Sequence, residues 1–268
     1  MGIEFAKMSG SGNDFIVVDN REDRLGEDRA EFARRHCPRR TGVGADGVLL
    51  IEPSQEADFR MRIFNADGSE AEMCGNGARC AARFTFERDI APPSMTMETM
   101  AGPVSAAIEE GEVTIGMGDV APVREAAELE AQGEVWTVHP VEAGVPHAII
   151  FTEDVEDAPV EPVGREIRYH PFFQPRGTNV DFVQVLEPGR VRIRTYERGV
   201  EAETLACGTG AIASAVAAHS RADAGNPPIG VRVQGGQLTI DFRSTDGRIT
   251  DVRLTGDARF IYIGRLCS

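Results

Sequence analysis

"MCGNGARC" at residues 73–80 and "ACGTGAIASAVAA" at residues 206–218 share one core, Cys-Gly-x-Gly-Ala, and each runs on into an alanine-rich segment without proline. A single cysteine before a glycine turn reads as a buried thiol beside a flexible loop. Two copies with matching surroundings do not. The stretch ahead of the first, "MRIFNADGSEAE" (61–72), and the stretch ahead of the second, "IRTYERGVEAET" (193–204), are each a short extended run, a turn and an acidic cluster. A third pair, "SGNDFIVVD" (11–19) and "GTNVDFVQV" (177–185), sets an asparagine just before an alternating strand. These echoes predict a duplication: two related domains, each presenting a strand, a Cys-Gly-x-Gly turn and a buried helix. The second helix is small and apolar on every side, so sheet should wrap it.

The rest of the chain bounds the reading. Its 268 residues suit two domains of ordinary size, and with 41% apolar residues each can bury a core. A net charge of −15 argues against a nucleic-acid partner or an anionic membrane surface. The acidic runs "EDVEDAPVE" (153–161) and "REAAELEAQGE" (124–134) read as solvated faces. The opening "MGIEFAKMSG" has no charged stretch followed by an apolar one, and Ala6 breaks a myristoylation signal. No apolar run reaches the length of a membrane span. The five cysteines, Cys37, Cys74, Cys80, Cys207 and Cys267, lack Cys-x-x-Cys spacing, so neither a disulfide framework nor a metal site is expected. The expectation is a soluble cytoplasmic protein with free thiols.

Periodicity predicts an α+β chain. A strand, a Gly/Ser turn and a second strand open it; residues 28–37 have helical spacing, and residues 42–53 are a glycine-rich turn into a strand. "GSGN" and "GVGADG" look like phosphate loops but complete no Walker motif, and nucleotide binding is not expected. Hairpins fill 94–119, and a linker is expected at 118–125. Beyond it come strands near 135–141 and 147–151, a loop rich in proline and charge, strands near 180–186 and 191–196, the Cys207 helix, and closing strands with a Gly-Gly hairpin. The expected domains are 1–118 with 258–268, and 119–257.

Cysteine at a helix start meets the positive end of the helix dipole, which can lower its pKa from about 8.5 to roughly 3.5–7.5 and favour the thiolate. The following Gly-x-Gly exposes backbone N–H groups that suit a carboxylate. Two such units facing each other across a cleft would hold one carboxylate from both sides and set one sulfur on each face of the carbon attached to it. One thiolate would remove the α-proton and the opposite thiol would return a proton, inverting the centre. Pyridoxal phosphate, the usual cofactor for such chemistry, is held by a lysine. With Lys7 the single lysine and no phosphate cup, no cofactor is expected.

The blocks "GNDFIVVD", "RIFNADGSEAEMCGNGARC", "GTNVDFVQV" and "YERGVEAETLACGTGA" resemble the diaminopimelate epimerase family over residues 5–263. The resemblance implies two pseudo-symmetric domains, each a β-barrel-like sheet around a central helix. It implies cofactor-independent interconversion of LL- and meso-diaminopimelate, an isomerase step of lysine and peptidoglycan biosynthesis, and a homodimer. By the same resemblance Cys74 and Cys207 are the catalytic acid and base, and Gly75, Asn76, Gly208 and Thr209 bind the reacting carboxylate through backbone N–H groups. Asn13, Asn65, Asn179, Glu197 and Arg198 bind the substrate, most of them at its distal end, and His147 stands close to the catalytic centre. Two positions depart from the family pattern: Val145, where an asparagine usually contacts substrate, and Gly47, where some members carry glutamine. Cys37, Cys80 and Cys267, with His36, His139, His170 and His219, read as ordinary structural residues. Two other readings stay open: a related cofactor-free racemase for proline, hydroxyproline or histidine, and an amino-acid-binding or thiol-redox protein.

Overall fold

Strands dominate the computed structural model, which describes residues 2–26, 28–221 and 224–266. In chain order they begin with β1 (Glu4–Gly10), β2 (Asn13–Asp19), helix α1 (Arg29–His36), β3 (Gly47–Glu52), β4 (Phe59–Asn65), β5 (Glu70–Ala71), helix α2 (Gly75–Glu87), β6 (Ser94–Thr99), β7 (Gly102–Glu109) and β8 (Glu112–Val120). The second series is β9 (Ala127–Ala131), β10 (Glu134–Ala143), β11 (Val145–Phe151), helix α3 (Val160–Tyr169), β12 (Asn179–Glu187), β13 (Arg190–Glu197), β14 (Ala202–Thr204), helix α4 (Gly208–His219), β15 (Ile229–Val233), β16 (Gly236–Thr245), β17 (Arg248–Gly256) and β18 (Arg259–Arg265). Contacts divide the chain into residues 1–116 with 255–268, and residues 117–254.

The first unit is built on the ladder β1–β2–β3–β4. Strand β2 is antiparallel to β1 and parallel to β3, with α1 as the crossover, and β3 and β4 are antiparallel. Strand β4 then pairs antiparallel with β5 and parallel with β6, so the chain crosses over through α2. In this unit α2 packs on β1, β2, β3, β4 and β7. Its body is buried from Asn76 to Ala82, where the small residues Gly77, Ala78, Ala81 and Ala82 let the strands approach closely.

The second unit repeats the ladder. Strand β11 is antiparallel to β10 and parallel to β12 across α3; β12 and β13 are antiparallel; β13 pairs antiparallel with β14 and parallel with β15. Helix α4 is buried at every position from Gly210 to Ala218 and packs on β10, β11, β12, β13, β15 and β16, as its apolar composition demands. The register matches residue by residue. Phe15 lies opposite Gly47 as His147 lies opposite Asn179, and Val48 opposite Phe64 as Val180 opposite Tyr196. Likewise Ile63 faces Ala71 as Thr195 faces Thr204, after which each chain runs three residues to its cysteine.

This register corrects one expected echo. The segment 11–19 is β2, whose counterpart is β11, whereas 177–185 is β12, whose counterpart is β3. Both segments start a strand with asparagine, but pairing order decides equivalence, and by that order Asn13 matches Val145 and Asn179 matches Gly47.

One further expectation fails for a physical reason. The stretch expected as a proline-rich loop holds α3, which buries Val160, Val163, Gly164 and Ile167 on one face. Pro162 sits in the first turn, where a missing N–H costs no helical hydrogen bond. Gly164 is needed for contact: a Cβ there would lie 2.6 Å from Tyr196 Cβ. The acidic run 124–134 turns its acids to solvent, as expected of a solvated face; within it β9 buries Leu129 and Ala131 on the other side. The run 153–161 likewise exposes its acids while Val155, Ala158 and Val160 are buried.

Candidate active site

Each cysteine is the N-cap of its helix. Cys74 is extended at φ −144° and ψ 118°, its carbonyl accepts from Ala78 N at 2.8 Å, and Gly77 N points at its Sγ from 3.5 Å. Cys207 has φ −114° and ψ 113°, with Ala211 N on its carbonyl at 2.9 Å. The glycine in the first turn is required by close approach. A Cβ on Gly77 would lie 3.1 Å from Leu49 Cδ2, and one on Gly210 would lie 2.4 Å from Asp181 Oδ1.

Around Cys74 the first unit brings Asn13 and Asn76 together: Asn76 Nδ2 donates to Asn13 Oδ1, and Asn13 Nδ2 donates to Asp46 Oδ2 at 3.2 Å. Asn76 is buried, and its Oδ1 accepts from Arg79 Nη2 at 3.0 Å. Arg79 is fully buried. It also donates to Ser11 Oγ at 2.7 Å, Asp257 O at 3.2 Å and Gly75 O at 3.2 Å, so its charge is stabilised by hydrogen bonds. Burial pulls its pKa down, opposed by the charges of Cys80, Cys74 and Asp257.

The Asn13 strand is pinned from behind. Lys7, buried, donates to Gly44 O and pairs with Asp14 at 2.6 Å, and Arg39 bridges Asp14 and Asp46. Burial works to raise the Asp14 carboxyl, but hydrogen bonds from Arg39 and Lys7 hold it well below the usual carboxylate range. Asn65 stands apart from this group; it is exposed and closes a turn with Ser69, Nδ2 to Oγ at 3.0 Å.

Around Cys207 the second unit is more tightly connected. Cys207 Sγ lies 3.4 Å from Thr209 Oγ1, which lies 3.0 Å from His147 Nε2, and His147 Nδ1 lies 2.6 Å from Asp181 Oδ2. His147 and Asp181 are fully buried, and Thr195 Oγ1 donates to the other Asp181 oxygen at 2.7 Å. Asn179 joins through Nδ2, 3.4 Å from His147 Nε2, while its Oδ1 accepts from Arg198 N at 2.8 Å. Arg198 sends Nη1 to Arg176 O at 2.9 Å. Burial pushes the half-buried Glu197 carboxyl up.

One electrostatic expectation is corrected. A helix start alone was expected to lower both thiols, yet Cys207 is pushed well above the ordinary thiol range, first by burial and then by the charges of Glu197 and Asp181. Hydrogen bonds from Thr209 and Gly210 act against this without overcoming it. Desolvation of a thiolate outweighs a helix end when carboxylates stand nearby.

Gly75 and Gly208 are the first helical residues after each cysteine. Gly47 has a steric reason, since a Cβ there would lie 2.7 Å from Phe64 O; Val145 pairs with Ala143 in the β10–β11 ladder. Cys37 and Cys80 are buried, with burial pushing them up to about 11 and about 12. Cys267 lies outside the described residues. His36, His139 and His219 stack edgewise or tilted on Phe32, Phe151 and Phe242, and His170 Nδ1 accepts from Phe172 N. A cavity of about 300 Å³ beside α1 holds none of the expected site residues; its walls include Ile3, Phe32, Arg35, His36 and Leu266.

Sequence reasoning missed Asp181, Thr195, Arg79, Ser11 and Asp257. Asp181 had a signal, an acid between Val180 and Phe182 in a strand otherwise patterned for burial. Arg79 had one too, a charge set between Ala78 and Cys80 in the small-residue first half of a helix predicted to be buried. Ser11 and Asp257 had none, since they matter only through Arg79.

Among the described residues no helix is long and apolar enough to cross a membrane, and no group of three or more His, Cys, Asp or Glu could hold a metal. The family model described as "Diaminopimelate epimerase" matches residues 5–123 and 140–261. The chain is 44% identical to a diaminopimelate epimerase of Aquifex aeolicus over 98% of both chains. It is 47% identical to one of Hydrogenobaculum over 80% of this chain and 81% of the other. A phenazine biosynthesis protein of the PhzF family from Bacillus anthracis has the same fold, with a TM-score of 0.75, 16% identity and full coverage of both chains. With two thirds and more of its length matched at this level, the chain belongs to the diaminopimelate epimerase family.

Proposed function

We propose that this isomerase interconverts LL- and meso-diaminopimelate, for lysine and peptidoglycan biosynthesis, without cofactor, using Cys74 and Cys207 as a pair of acid and base on one α-carbon. The observation that carries the reading is the repeated cap: the same residue type, at the same register position, opens the buried helix of each unit. One thiolate takes the α-proton, the electron pair spreads into the carboxylate, and the other thiol delivers a proton to the opposite face. Backbone N–H groups of Gly75, Asn76, Gly208 and Thr209 bind that carboxylate, where fixed donors stabilise the developing charge. Asn13, Asn65, Asn179, Glu197 and Arg198 bind the rest of the substrate, most of them its distal amino-acid end, and His147 supports the centre.

The family match supports the substrate. The test is incubation in D₂O with LL-diaminopimelate, proline, hydroxyproline and histidine in turn. Deuterium at Cα of diaminopimelate with meso product is expected. Label in another amino acid would make the protein a different racemase, and label in none would return the thiol-redox reading. Replacing either cysteine by alanine should lower turnover by about 10²–10⁴-fold, the usual worth of a positioned acid or base. The proposed setting is cytoplasmic, and the proposed assembly is a homodimer. Exposed Ile261, Tyr262 and Ile263 on β18 are apolar surface of the kind that an isologous contact buries. Sedimentation at the chain's own mass would oppose the dimer.

A further inference from the structure

A charged group stands at each end of the asparagine pair in the first unit. Arg79 Nη2 donates to Asn76 Oδ1 at 3.0 Å, Asn76 Nδ2 donates to Asn13 Oδ1, and Asn13 Nδ2 donates to Asp46 Oδ2 at 3.2 Å. Every bond in this row runs the same way, from the buried guanidinium to the carboxylate. Register puts Val145, Thr178, Thr209 and Ile212 of the second unit where the first has Asn13, Asp46, Asn76 and Arg79. Two hydrocarbons and two hydroxyls cannot make such a row, yet they build the same ladder and the same buried helix. Packing therefore does not require it.

Its direction is set from both ends. A side-chain amide has an oxygen that accepts and an NH₂ that donates, and turning it over exchanges the two. A guanidinium only donates, so the Asn76 oxygen must face Arg79 and its NH₂ then faces Asn13. A carboxylate only accepts, so the Asn13 NH₂ must face Asp46 and its oxygen then faces Asn76. Neither amide can turn without setting donor on donor or acceptor on acceptor. The end groups are themselves held. Arg79 also donates to Ser11 Oγ, Asp257 O and Gly75 O, while Asp46 receives Arg39 Nη2 at 2.7 Å and Asp14 N at 3.1 Å. Gly75 O shares its planar peptide with the N–H of Asn76, so fixing that oxygen fixes the N–H on the opposite side.

We propose that Arg79 and Asp46 are positioning residues for substrate binding. From opposite ends they lock the amides of Asn76 and Asn13, so that Asn13 offers the substrate N–H and not oxygen, and Arg79 also aims the Asn76 peptide at the reacting carboxylate. The proposal rests on the reading above in which Asn13 and Asn76 bind substrate. An amide free to turn would present the wrong group part of the time, and locking it beforehand spares the bound state that ordering.

The test pairs Asp46→Ala, which removes the acceptor, with Asp46→Asn, whose amide oxygen keeps it because Asp14 N demands an acceptor there as well. The Asp46 side chain is 41% exposed, so neither change should unfold the unit. With LL-diaminopimelate, Asp46→Ala should raise KM about 10-fold, the size of one hydrogen bond to a charged group, and leave kcat within a few-fold. Asp46→Asn should stay close to wild type. A merely structural loss would remove active molecules, lowering kcat and leaving KM alone. Arg79→Lys keeps the charge but offers one ammonium to four acceptors, so it should raise KM as Asp46→Ala does. Wild-type KM in Asp46→Ala or in Arg79→Lys, or an Asp46→Asn as impaired as Asp46→Ala, would overturn the proposal. Independently of any variant, neutron diffraction from a deuterated wild-type crystal should show the ND₂ of Asn76 on Asn13 and the ND₂ of Asn13 on Asp46; either amide reversed would overturn it too. Asn13→Ala separates the two levels: a wild-type KM there removes Asn13 from substrate binding and the proposal with it, whereas a raised KM in Asn13→Ala beside a wild-type KM in Asp46→Ala removes the positioning alone.

Discussion

Cys74 and Cys207 cap equivalent helices in equivalent ladders, but the first is half-buried beside a buried cation and the second is buried beside a carboxylate–imidazole pair. Arg79, the fifth residue of α2, stands where α4 has Ile212. Conversely Asp181 stands where β3 has Leu49. Each unit thus buries a charge at a position where the other has a hydrocarbon. A nearby guanidinium favours a thiolate by direct attraction. A buried thiol facing carboxylates is held in its neutral form instead. The repeat keeps the scaffold and the sulfur, and the two copies differ in the charges set around that sulfur.

The largest effect should come from Arg79. Arg79→Ala leaves Ser11, Asn76 and the Asp257 carbonyl without their buried donor, and should cost about 3–5 kcal/mol, as loss of one member of a buried ionic cluster does. Thermal or denaturant melting reads it. Ile212→Val at the matched position should cost only about 0.5–1.5 kcal/mol. Equal losses would mean that Arg79 is a packing residue like its counterpart.

A smaller contrast is expected between the first-turn glycines. Gly210→Ala drives a methyl against Asp181 Oδ1, so it should cost about 1–3 kcal/mol as an overpacked site and also lower kcat. Gly77→Ala meets the end of Leu49, which can yield, and should disturb activity less. If Gly77→Ala proves the worse enzyme, the carboxylate contact is not what separates the two units.

The smallest effect is with pH. Cys37 and Cys80 are raised in the folded protein to about 11 and about 12, so the unfolded chain ionises first. The sign follows: stability is full below the unfolded thiol value of about 8.5 and falls as pH rises from there toward the folded values. Melting temperature measured from pH 8 to 10 should decline, and Cys37→Ala should flatten the slope. A slope unchanged in that variant would locate the loss elsewhere.

Much of this was legible in the chain. The repeated Cys-Gly-x-Gly turn placed both helix starts, and the alanine-rich composition of α4 announced its burial, because those signals are local and lie in one segment. What stayed hidden depends on partners far apart in sequence. Asn13 and Asn179 were paired by a shared Asn-strand pattern, while strand order equates Asn179 with Gly47. Helix α3 was obscured by Pro162 and Gly164, residues that usually end helices; here one sits harmlessly in the first turn and the other clears room for Tyr196. Cys207 misled for a related reason, since a helix start is visible in sequence and the burying strands and carboxylates are not.

If two sulfurs serve one stereocentre from opposite sides, the order in which isotope appears shows it directly. LL-diaminopimelate in D₂O, sampled at a few per cent conversion, should give meso product already carrying deuterium at the inverted carbon while the unreacted LL isomer stays unlabelled, because the incoming proton comes from a thiol that has exchanged with solvent. Early meso product that retains the substrate's own proton would mean that a single group carries it across, and would contradict the account.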